Sequence, residues 1–335
     1  MVIGGWPGRP SAATVISDYF STGIIMTNSG LPRRASFGGV ASVFLSLAAL
    51  LTPAAIPAAQ AASSPVIQRI QQTGTIRIAH RESSVPFSFM ADGKPVGYAV
   101  DLCLKAADAV RAQLKMPQLR VEWVPVTPAT RIPAIVDGKA DLECGSTTNN
   151  RERREQVAFT IPHYIAGSRM LVKSDSGIRR WSDLRGKTVV STTGTTPLAM
   201  IRKMDESGAM GWKVLEAKDH AEAFAMVESG RADAFVMDDV LLFGLRANAK
   251  NPASLAVTGD LLTIEPYAIM LSKQDVEFKK IVDKALVNAI YDQETQKLYR
   301  KWFQQPIPPH GITLDIPMSY LLRDSFKFPS DKVAD

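Results

Sequence analysis

Residues 132–145 read IPAIVDGKADLECG, and residues 224–237 read FAMVESGRADAFVM. Each segment begins as an apolar helix, reaches a glycine followed by a basic residue, and continues through Ala-Asp into an apolar strand. A helix that leads directly into a strand is typical of parallel β-α-β units. The separation of 92 residues is too long for a solenoid repeat. The pair therefore predicts an α/β protein with two similar lobes, each built on its own sheet.

Strand-like and helix-like segments alternate along the rest of the chain after Ser64. Because ligands of open parallel sheets bind outside the carboxyl ends of the strands, the turns after those ends are the places where we expect a site. The amphipathic tail 275–303 is predicted to be helical, with an apolar stripe that a lobe must cover. The predicted strands are TIRIAH (75–80), LRVEWVPV (119–126), ADLECG (140–145), KTVVST (187–192), KVLEAK (213–218) and ADAFVMDD (232–239). The predicted helices lie in KPVGYAVDLCLKAADAVRAQL (94–114), RIPAIVDG (131–138), WSDLRG (181–186), PLAMIRKMDES (197–207), AEAFAMVESG (221–230) and VLLFGLRAN (240–248).

An export signal precedes the fold. Residues 33–61, RRASFGGVASVFLSLAALLTPAAIPAAQA, have a basic start, an apolar centre and small residues at the end. This is the layout of a secretory signal peptide, so we predict cleavage near Ala61 and a periplasmic protein. A membrane anchor is the alternative, but two prolines interrupt the apolar run. The residues before Met26 fit neither a signal nor a domain, so residues 1–61 are predicted to be a signal with an upstream extension, and translation to start at Met26.

The composition excludes several classes of protein. With 335 residues, of which 46% are hydrophobic and 21% charged, the chain is long enough for about two globular domains. The formal net charge of +6 is modest, and no basic patch with interleaved aromatics predicts a nucleic-acid surface. No later run of about 18 uncharged apolar residues predicts a membrane span. We therefore expect a soluble monomer that does not bind nucleic acid.

Two cysteines, Cys103 and Cys144, follow the signal. Their spacing matches no metal-binding motif. Export would permit a disulfide bond between them, because the periplasm is oxidising. A disulfide and two buried thiols are equally compatible with the sequence.

The turn after ADLEC combines many hydrogen-bond donors with an arginine. CGSTTNNRERR (144–154) follows an apolar strand and leads into a charged helix. Ser146 and Thr148 offer hydroxyls, an asparagine is placed to cap the helix, and free N–H groups at the helix start attract an anion. Arg153, one turn into the helix, can grip a carboxylate with two parallel hydrogen bonds. The pattern suits a carboxylate site; a capped helix with a solvated arginine is the alternative.

Two further strand ends carry candidates. Thr195 and Thr196 precede a helix with Pro197 at its first position, and they offer a second set of donors from the other lobe. A plain helix cap is the alternative for this turn. Asp238, at the carboxyl end of ADAFVMDD, can accept hydrogen bonds from an ammonium group, whereas Asp239 is interpreted as a cap or surface residue.

Arg81 and His220 also lie near strand ends. Arg81 follows the first strand, and His220 follows KVLEAK near a helix start. Phe87 and Phe89, just beyond Arg81, either line a cleft or pack in the core. The sequence has no GxSxG or HExxH motif, and neither cysteine has a nucleophile setting. The residues therefore indicate binding without catalysis, metal or cofactor.

These segments resemble the periplasmic amino-acid-binding proteins of ABC transporters, solute-binding protein family 3, and within that family the members that bind glutamate and aspartate. The resemblance implies two lobes, joined by two crossing strands, that close on one amino acid. It implies L-glutamate or L-aspartate as the ligand and the permease subunits of an ABC transporter as partners. The matching segments, in family order, are HRESSVPFSF (80–89), RIPAIVDGKADLECGSTTNNRER (131–153), DLRGKTVVSTTGTT (183–196), AKDHAEAF (217–224), ESGRADAFVMDDVLL (228–242) and KWFQQPIPP (301–309).

The resemblance also assigns each candidate to one group of the ligand, with His220 acting as a cation. It implies a first lobe of residues 62–167 and 264–335 and a second lobe of residues 168–263, with crossings near YIAGSR (164–169) and IEPYAI (264–269). The implied set is Arg153, Thr148 and Thr196 for the α-carboxylate, Ser146 and Asp238 for the α-ammonium, and Arg81, Arg131 and His220 for the side-chain carboxylate.

One position departs from the family pattern. Pro128 stands in VTPATR where similar proteins have a serine that touches the side-chain carboxylate, and proline has no N–H to donate. Thr127 or Thr130 is the candidate substitute. The departure leaves the order of glutamate and aspartate open, with glutamine or asparagine as alternative ligands. A same-fold enzyme, such as a dehydratase of cyclic amino-acid precursors, is the alternative function.

Overall fold

Two open β-sheets form the body of the protein. The computed structural model describes residues 64–206 and 208–333, so the predicted signal peptide lies outside the described residues. The strands are β1 (Thr75–His80), β2 (Ser83–Ser84), β3 (Ser88–Ala91), β4 (Lys94–Val96), β5 (Arg120–Pro125), β6 (Leu142–Cys144), β7 (Val157–Phe159), β8 (Tyr164–Ala166), β9 (Ser168–Lys173), β10 (Thr188–Thr192), β11 (Lys213–Ala217), β12 (Ala234–Asp238), β13 (Leu255–Thr258), β14 (Glu265–Tyr267) and β15 (Met270–Ser272).

Helices connect most of these strands. In the part of the chain that the structure describes, no helix has the length and apolar character needed to cross a membrane. Short 3-10 helices cover Trp181–Leu184 and Pro252–Ser254. The α-helices are α1 (Pro65–Thr73), α2 (Tyr98–Gln113), α3 (Arg131–Val136), α4 (Arg151–Arg154), α5 (Thr196–Asp205), α6 (His220–Glu228), α7 (Asp239–Ala247), α8 (Val276–Tyr291), α9 (Glu294–Phe303) and α10 (Tyr320–Lys327).

The two large sheets share one arrangement. Sheet 1 has the strand order β5-β1-β6-β15-β7, and sheet 2 has the order β11-β10-β12-β9-β13. In sheet 1, β1 is parallel to β5 and β6 while β15 joins antiparallel; in sheet 2, β10 is parallel to β11 and β12 while β9 joins antiparallel. The two similar segments of the sequence end in β6 and β12, which occupy the same third place in their sheets. The predicted α/β fold with two similar lobes is confirmed.

Two short strands run between the sheets. In the sequence, β8 leads into β9 of sheet 2, and β14 leads into β15 of sheet 1. They pair antiparallel, with Glu265 opposite Ala166 and Tyr267 opposite Tyr164. These strands lie within YIAGSR and IEPYAI, the two segments predicted to cross. The lobe boundaries at 167/168 and 263/264 remain a prediction.

Phe87 lies at the centre of an aromatic cluster beside these crossing strands. Its ring centroid is 4.9 Å from that of Tyr164, 5.1 Å from Tyr267 and 5.5 Å from Phe303, all at steep interplanar angles. Such edge-to-face pairs contribute about 0.5–1.5 kcal/mol beyond the burial itself. Phe87 and Phe89 are both buried, so they belong to the core.

Some local predictions were wrong or incomplete. WSDLRG forms a 3-10 helix, and Pro197 is the second residue of α5, not its first. The helical tail breaks after Tyr291, where Gln293 has a left-handed φ of 58° that an α-helix does not accommodate. The sequence analysis also missed α1, α10 and the β2-β3-β4 sheet.

The two cysteines form a disulfide bond. The bond joins α2 to the last residue of β6, and both cysteines are fully buried. Gly145 follows Cys144 directly, so the bond fixes the strand end from which the turn 145–150 leaves. Of the two alternatives compatible with the sequence, the structure has the disulfide.

We expect the disulfide to stabilise the fold mainly by restricting the unfolded chain. It joins residues separated by 41 positions, for which loop-closure entropy predicts about 4 kcal/mol. The Cys103→Ala/Cys144→Ala double variant should lose roughly that much free energy of unfolding, measured by urea denaturation without ligand. Reduced wild-type protein keeps both cysteine side chains, so it controls for the packing that the alanine substitutions remove. It should lose a similar amount of unfolding free energy. Equal urea midpoints for oxidised and reduced wild type would contradict this expectation.

Candidate functional site

The carboxyl ends of the parallel strands of both sheets meet in one cleft. Arg81 on the sheet 1 side lies 3.4 Å from His220 on the sheet 2 side, measured from Nη2 to Nε2. Arg131 and Arg153, also on the sheet 1 side, both reach Gly194 of the turn after β10. The candidate residues that the strand ends bring to this cleft are Arg81 after β1, Arg131 after β5, Ser146, Thr148 and Arg153 after β6, Thr195 and Thr196 after β10, His220 after β11, and Asp238 at the end of β12.

Gly194 is a second place where the two sides are in contact. Its carbonyl oxygen accepts hydrogen bonds from Nη2 of Arg131 and Nη2 of Arg153, each at 3.3 Å. Its φ of +81° is in the left-handed region that favours glycine. A Cβ here would lie 2.8 Å from both the Ala129 Cα and the Pro128 carbonyl oxygen. Only a glycine therefore lets this turn pack against residues 128–129, and sequence analysis did not single it out.

Three guanidinium groups are buried in the cleft. Arg81 is 1% exposed, Arg131 2% and Arg153 7%. Burial, followed by the charge of the neighbouring Arg131, lowers the pKa of Arg81 and of Arg153 to about 9. Burial also lowers the pKa of Arg131. All three keep their protons near neutral pH, so the cleft holds a dense group of cations that need anionic partners.

Several buried polar atoms in the cleft have no hydrogen-bond partner. Among the described residues, Nη1 of Arg81, Nε of Arg131 and Oγ of Ser146 are buried without a hydrogen-bond partner. Glu143 is fully buried and accepts a hydrogen bond from Thr147 at 2.6 Å through one oxygen, but its other oxygen is also unpaired. An unsatisfied buried group costs about 1–3 kcal/mol, and more when it is charged. The arginine nitrogens are therefore suited to an anionic ligand that supplies acceptors.

Asp238 adds a buried acid on the sheet 2 side. Its carboxylate accepts hydrogen bonds from the Tyr267 hydroxyl and, at 3.5 Å, from the Ser168 hydroxyl. Burial, followed by the negative charge of Glu265, raises the pKa of Asp238 well above its usual value. A cation beside this carboxylate would favour its charged form, so its environment suits an ammonium group.

Glu265 was missed by sequence analysis. It is 4% exposed, and its Oε2 accepts hydrogen bonds from the Thr148 hydroxyl at 2.7 Å and the Thr196 hydroxyl at 2.8 Å. Thr148 comes from the turn after β6 and Thr196 from the start of α5, so one oxygen on a crossing strand joins both sides of the cleft. The only local signal was an acid inside the otherwise apolar segment IEPYAI.

His220 is not the cation that the sequence analysis expected. Burial, followed by the charges of Arg81 and Arg131, lowers its pKa well below the usual value. Since a guanidinium only donates, the His220 Nε2 must accept from Arg81, which leaves Nδ1 to donate to the Thr192 hydroxyl at 2.9 Å. His220 is therefore a neutral acceptor that orients Arg81.

Several other candidates have structural partners. The Thr195 hydroxyl donates to the Thr192 carbonyl at 2.6 Å and accepts from the Leu198 N–H, so it caps α5. The asparagine that caps α4, as the sequence predicted, is Asn150, whose side-chain oxygen accepts from the Arg153 N–H. Asp239 accepts from its neighbour Val240. The hydroxyls of the suggested substitutes for the missing serine, residues 127 and 130, lie 3.2 Å from each other and bond locally.

The chain belongs to the bacterial extracellular solute-binding proteins, family 3, whose sequence profile matches residues 76–305. The L-glutamate/L-aspartate-binding protein of Pseudomonas aeruginosa is 46% identical over 271 residues, which cover 80% of this chain and 90% of that protein. The glutamate/aspartate import solute-binding protein of Salmonella typhimurium is 42% identical, covering 81% of this chain and 90% of the relative. The protein of the same name in Escherichia coli is 39% identical, covering 87% and 97%.

Solved structures share the fold. A mutant of ArgBP from T. maritima superposes with a TM-score of 0.64 at 29% identity, covering 71% of this chain and 99% of that one. The ancestral amino acid-binding protein AncCDT-1, described as a precursor of cyclohexadienyl dehydratase, gives a TM-score of 0.59 at 30% identity, covering 72% and 99%. The relatives named in these comparisons are therefore binding proteins.

Buried histidines should make the folded protein less stable as the pH falls. Burial lowers the pKa of His163 to about 3, and that of His220 also falls well below its usual value. As pH drops below about 6.5, the unfolded chain takes up protons that the folded chain does not, which removes up to about 1.4 kcal/mol of stability per pH unit for each group. The His220→Gln variant keeps an amide oxygen that can accept from Arg81 but has no imidazole to protonate. We therefore expect its free energy of unfolding to fall less steeply than that of wild type between pH 6.5 and 5.5.

The measurement is urea unfolding of ligand-free protein across that pH range. His310 is exposed in the folded protein, so the His310→Gln variant is the control and should keep the wild-type slope. Identical slopes for wild type and His220→Gln would show that His220 is not held neutral by the fold.

Proposed function

We propose that this protein is a periplasmic solute-binding protein that captures L-glutamate or L-aspartate in the cleft and delivers it to the permease of an ABC transporter. The observation that carries the proposal is the group of three buried guanidiniums, two of which have unpaired donor nitrogens. A dicarboxylic amino acid supplies two anionic groups for these cations. The names of the relatives in Pseudomonas aeruginosa, Salmonella typhimurium and Escherichia coli support the same ligands.

The side-chain carboxylate is assigned to Arg81 and Arg131. Their Nη1 and Nε atoms, respectively, are buried on the sheet 1 side without a hydrogen-bond partner, so they are available to donate to this carboxylate. His220, as a neutral acceptor for Arg81, contributes by holding that guanidinium in place. Because His220 carries no charge here, we expect affinity for glutamate to be flat between pH 6.5 and 8.

The α-carboxylate is assigned to Arg153, and the α-ammonium to Ser146 and Asp238. Arg153 donates to the carbonyls of Thr148 and Gly194, which leaves three of its five N–H groups for a ligand. The N–H of Thr196, the first residue of α5, can add to this anion site, whereas Pro197 has no N–H and those of Leu198 and Ala199 donate to Thr195.

The division of these groups between two sides explains how binding is coupled to closure. Arg81, Arg131 and Arg153 lie on the sheet 1 side, whereas His220 and Asp238 lie on the sheet 2 side. A ligand favours the closed form only to the extent that it contacts both sides. With residues 62–167 and 264–335 as one lobe and 168–263 as the other, closure of the lobes would present one surface to the permease.

An enzyme of the same fold is the rival function. Proton transfer would need a base with a free nitrogen or oxygen near the substrate. Both ring nitrogens of His220 already have partners, Thr192 and Arg81. His220 therefore has no free nitrogen to act as the base, whereas the unpaired Oε1 of Glu143 remains available to the rival function.

Calorimetric titration tests the proposal. Purified protein, freed of bound amino acid by unfolding and refolding, is titrated with L-glutamate, L-aspartate, L-glutamine and L-asparagine. Replacing a buried carboxylate with an amide leaves Arg81 and Arg131 without their counter-charge, which typically costs about 2 kcal/mol or more, so the amides should bind at least about 30-fold more weakly than the acids. Tighter binding of an amide, or no binding of any of the four, would overturn the assignment.

A Gly194→Ala substitution should impair closure. The new Cβ would meet Ala129 and Pro128 across the cleft, and overpacking of this kind costs about 1–3 kcal/mol, so affinity for L-glutamate should fall about fivefold or more. Gly177→Ala is a matched control, because Gly177 has a similar φ of +74° but nothing within 4 Å of its added Cβ. Both variants should lose about 1 kcal/mol of unfolding free energy through the strained φ. Equal ligand affinities in the two variants would contradict the closure contact.

A further inference from the structure

We propose that Glu265 is a specificity-determining residue of this cleft: it takes the hydroxyl hydrogens of Thr148 and Thr196, and so turns the two hydroxyls into acceptors for the ligand's ammonium group. The inference rests on the proposed function, because it concerns an amino-acid ligand. It assigns a role to a crossing-strand residue, and it changes the role of two threonines that the family resemblance gives to the α-carboxylate.

The hydrogen-bond geometry fixes the direction of both bonds. Oε2 of Glu265 lies 2.7 Å from the Thr148 Oγ1 and 2.8 Å from the Thr196 Oγ1. A carboxylate has no hydrogen to give, so both hydroxyls must donate to it. Each hydroxyl has one hydrogen and two lone pairs. With the hydrogens engaged, only lone pairs remain for a ligand.

This polarity suits an ammonium group and not a carboxylate. A ligand carboxylate facing Thr148 or Thr196 would meet lone pairs, whereas an ammonium group brings three hydrogens. Asp238 is also an acceptor-only group when ionised, and the charge of Glu265 contributes to raising its pKa. Arg153 already offsets part of that repulsion, because its charge favours the ionised form of Asp238 and the charges of Glu265 and Asp238 favour its own protonated form. An ammonium group near both carboxylates would offset more of it. Glu265 and Asp238 together therefore favour a positively charged group at this end of the cleft.

The same geometry makes the acceptor pair depend on closure. Thr148 belongs to the sheet 1 side and Thr196 to the sheet 2 side, while Glu265 lies on β14 between the sheets. Glu265 is 4% exposed, so solvent offers it little alternative to these two hydroxyls. The two hydroxyls converge on one oxygen only when both sides are in place.

The alternative interpretation of these distances is that Glu265 competes with the ligand's α-carboxylate for the two threonine hydroxyls. Glu265 would then stand where the ligand's α-carboxylate binds, and the ligand would displace it from the threonine hydroxyls. The two readings differ in sign, because removing the charge of Glu265 weakens binding of an ammonium group but relieves competition with a carboxylate.

The test compares L-glutamate with glutarate, which has the same chain and both carboxylates but no ammonium group. Affinities are measured by calorimetry, with displacement of L-glutamate for weak binding, in wild type and in Glu265→Gln. A hydrogen bond to a charged group contributes about 1.5–3 kcal/mol, so the variant should bind L-glutamate at least about tenfold more weakly. Glutarate should bind no more weakly than to wild type. Glu228→Gln, at an exposed position at the end of α6, is the control for loss of one negative charge and should bind both ligands as wild type does.

The outcomes separate the possible failures. Unchanged or tighter binding of L-glutamate by Glu265→Gln overturns the inference, and tighter binding of both ligands indicates competition. A parallel loss for both ligands indicates a structural role only. If wild type binds neither L-glutamate nor L-aspartate, the proposed function itself fails.

A crystal structure of the L-glutamate complex gives a second reading when glutarate is too weak to displace L-glutamate. The ligand nitrogen should lie within hydrogen-bond distance of the Thr148 or Thr196 hydroxyl, with both hydroxyls still on Glu265. A ligand carboxylate oxygen on those hydroxyls, with Glu265 turned away, would overturn the inference.

Discussion

Three buried guanidinium groups constrain the rest of the cleft. Arg81, Arg131 and Arg153 have almost no exposure, and burying charge is costly unless partners compensate it. The protein supplies part of that compensation through the carboxylates of Glu143, Glu265 and Asp238, which lie close enough to favour the charged form of Arg153. The remaining unpaired donors define what the cleft requires of a ligand. The disulfide at the end of β6 and the parallel strands of each sheet hold these side chains in place.

Closure of the cleft depends mainly on backbone groups and on one acid. Arg131 and Arg153 reach across to the carbonyl oxygen of Gly194, and Glu265 joins a threonine from each side. These contacts need no side chain at position 194, where none would fit. His220 is neutral because a fourth positive charge beside Arg81 and Arg131 would add electrostatic repulsion in a buried site. The cleft therefore favours its closed form most when an anionic amino acid adds its own contacts to both sides.

The sequence predicted those features that leave a local pattern. The helix-glycine-strand pair predicted two like sheets, and the carboxyl ends of their strands predicted where Arg81, Arg153 and Asp238 would meet. Features that depend on tertiary packing were not predictable in the same way. The partners of Glu265 are 117 and 69 residues away, so its role leaves no local signal. The neutral state of His220 follows from burial beside two arginines, and the cysteine pairing follows from the packing of α2 on β6.

An acidic amino acid should stabilise the closed arrangement of the cleft by contacting both of its sides. Pulsed electron spin resonance between labels at Glu122→Cys on β5 and Lys213→Cys on β11 tests it directly, because both positions are exposed on edge strands of the two sheets and the native cysteines are paired. L-Glutamate should convert a broad distribution of label distances into one shorter distance. A distribution that L-glutamate leaves unchanged, although calorimetry shows that it binds, would mean that the ligand does not close the cleft.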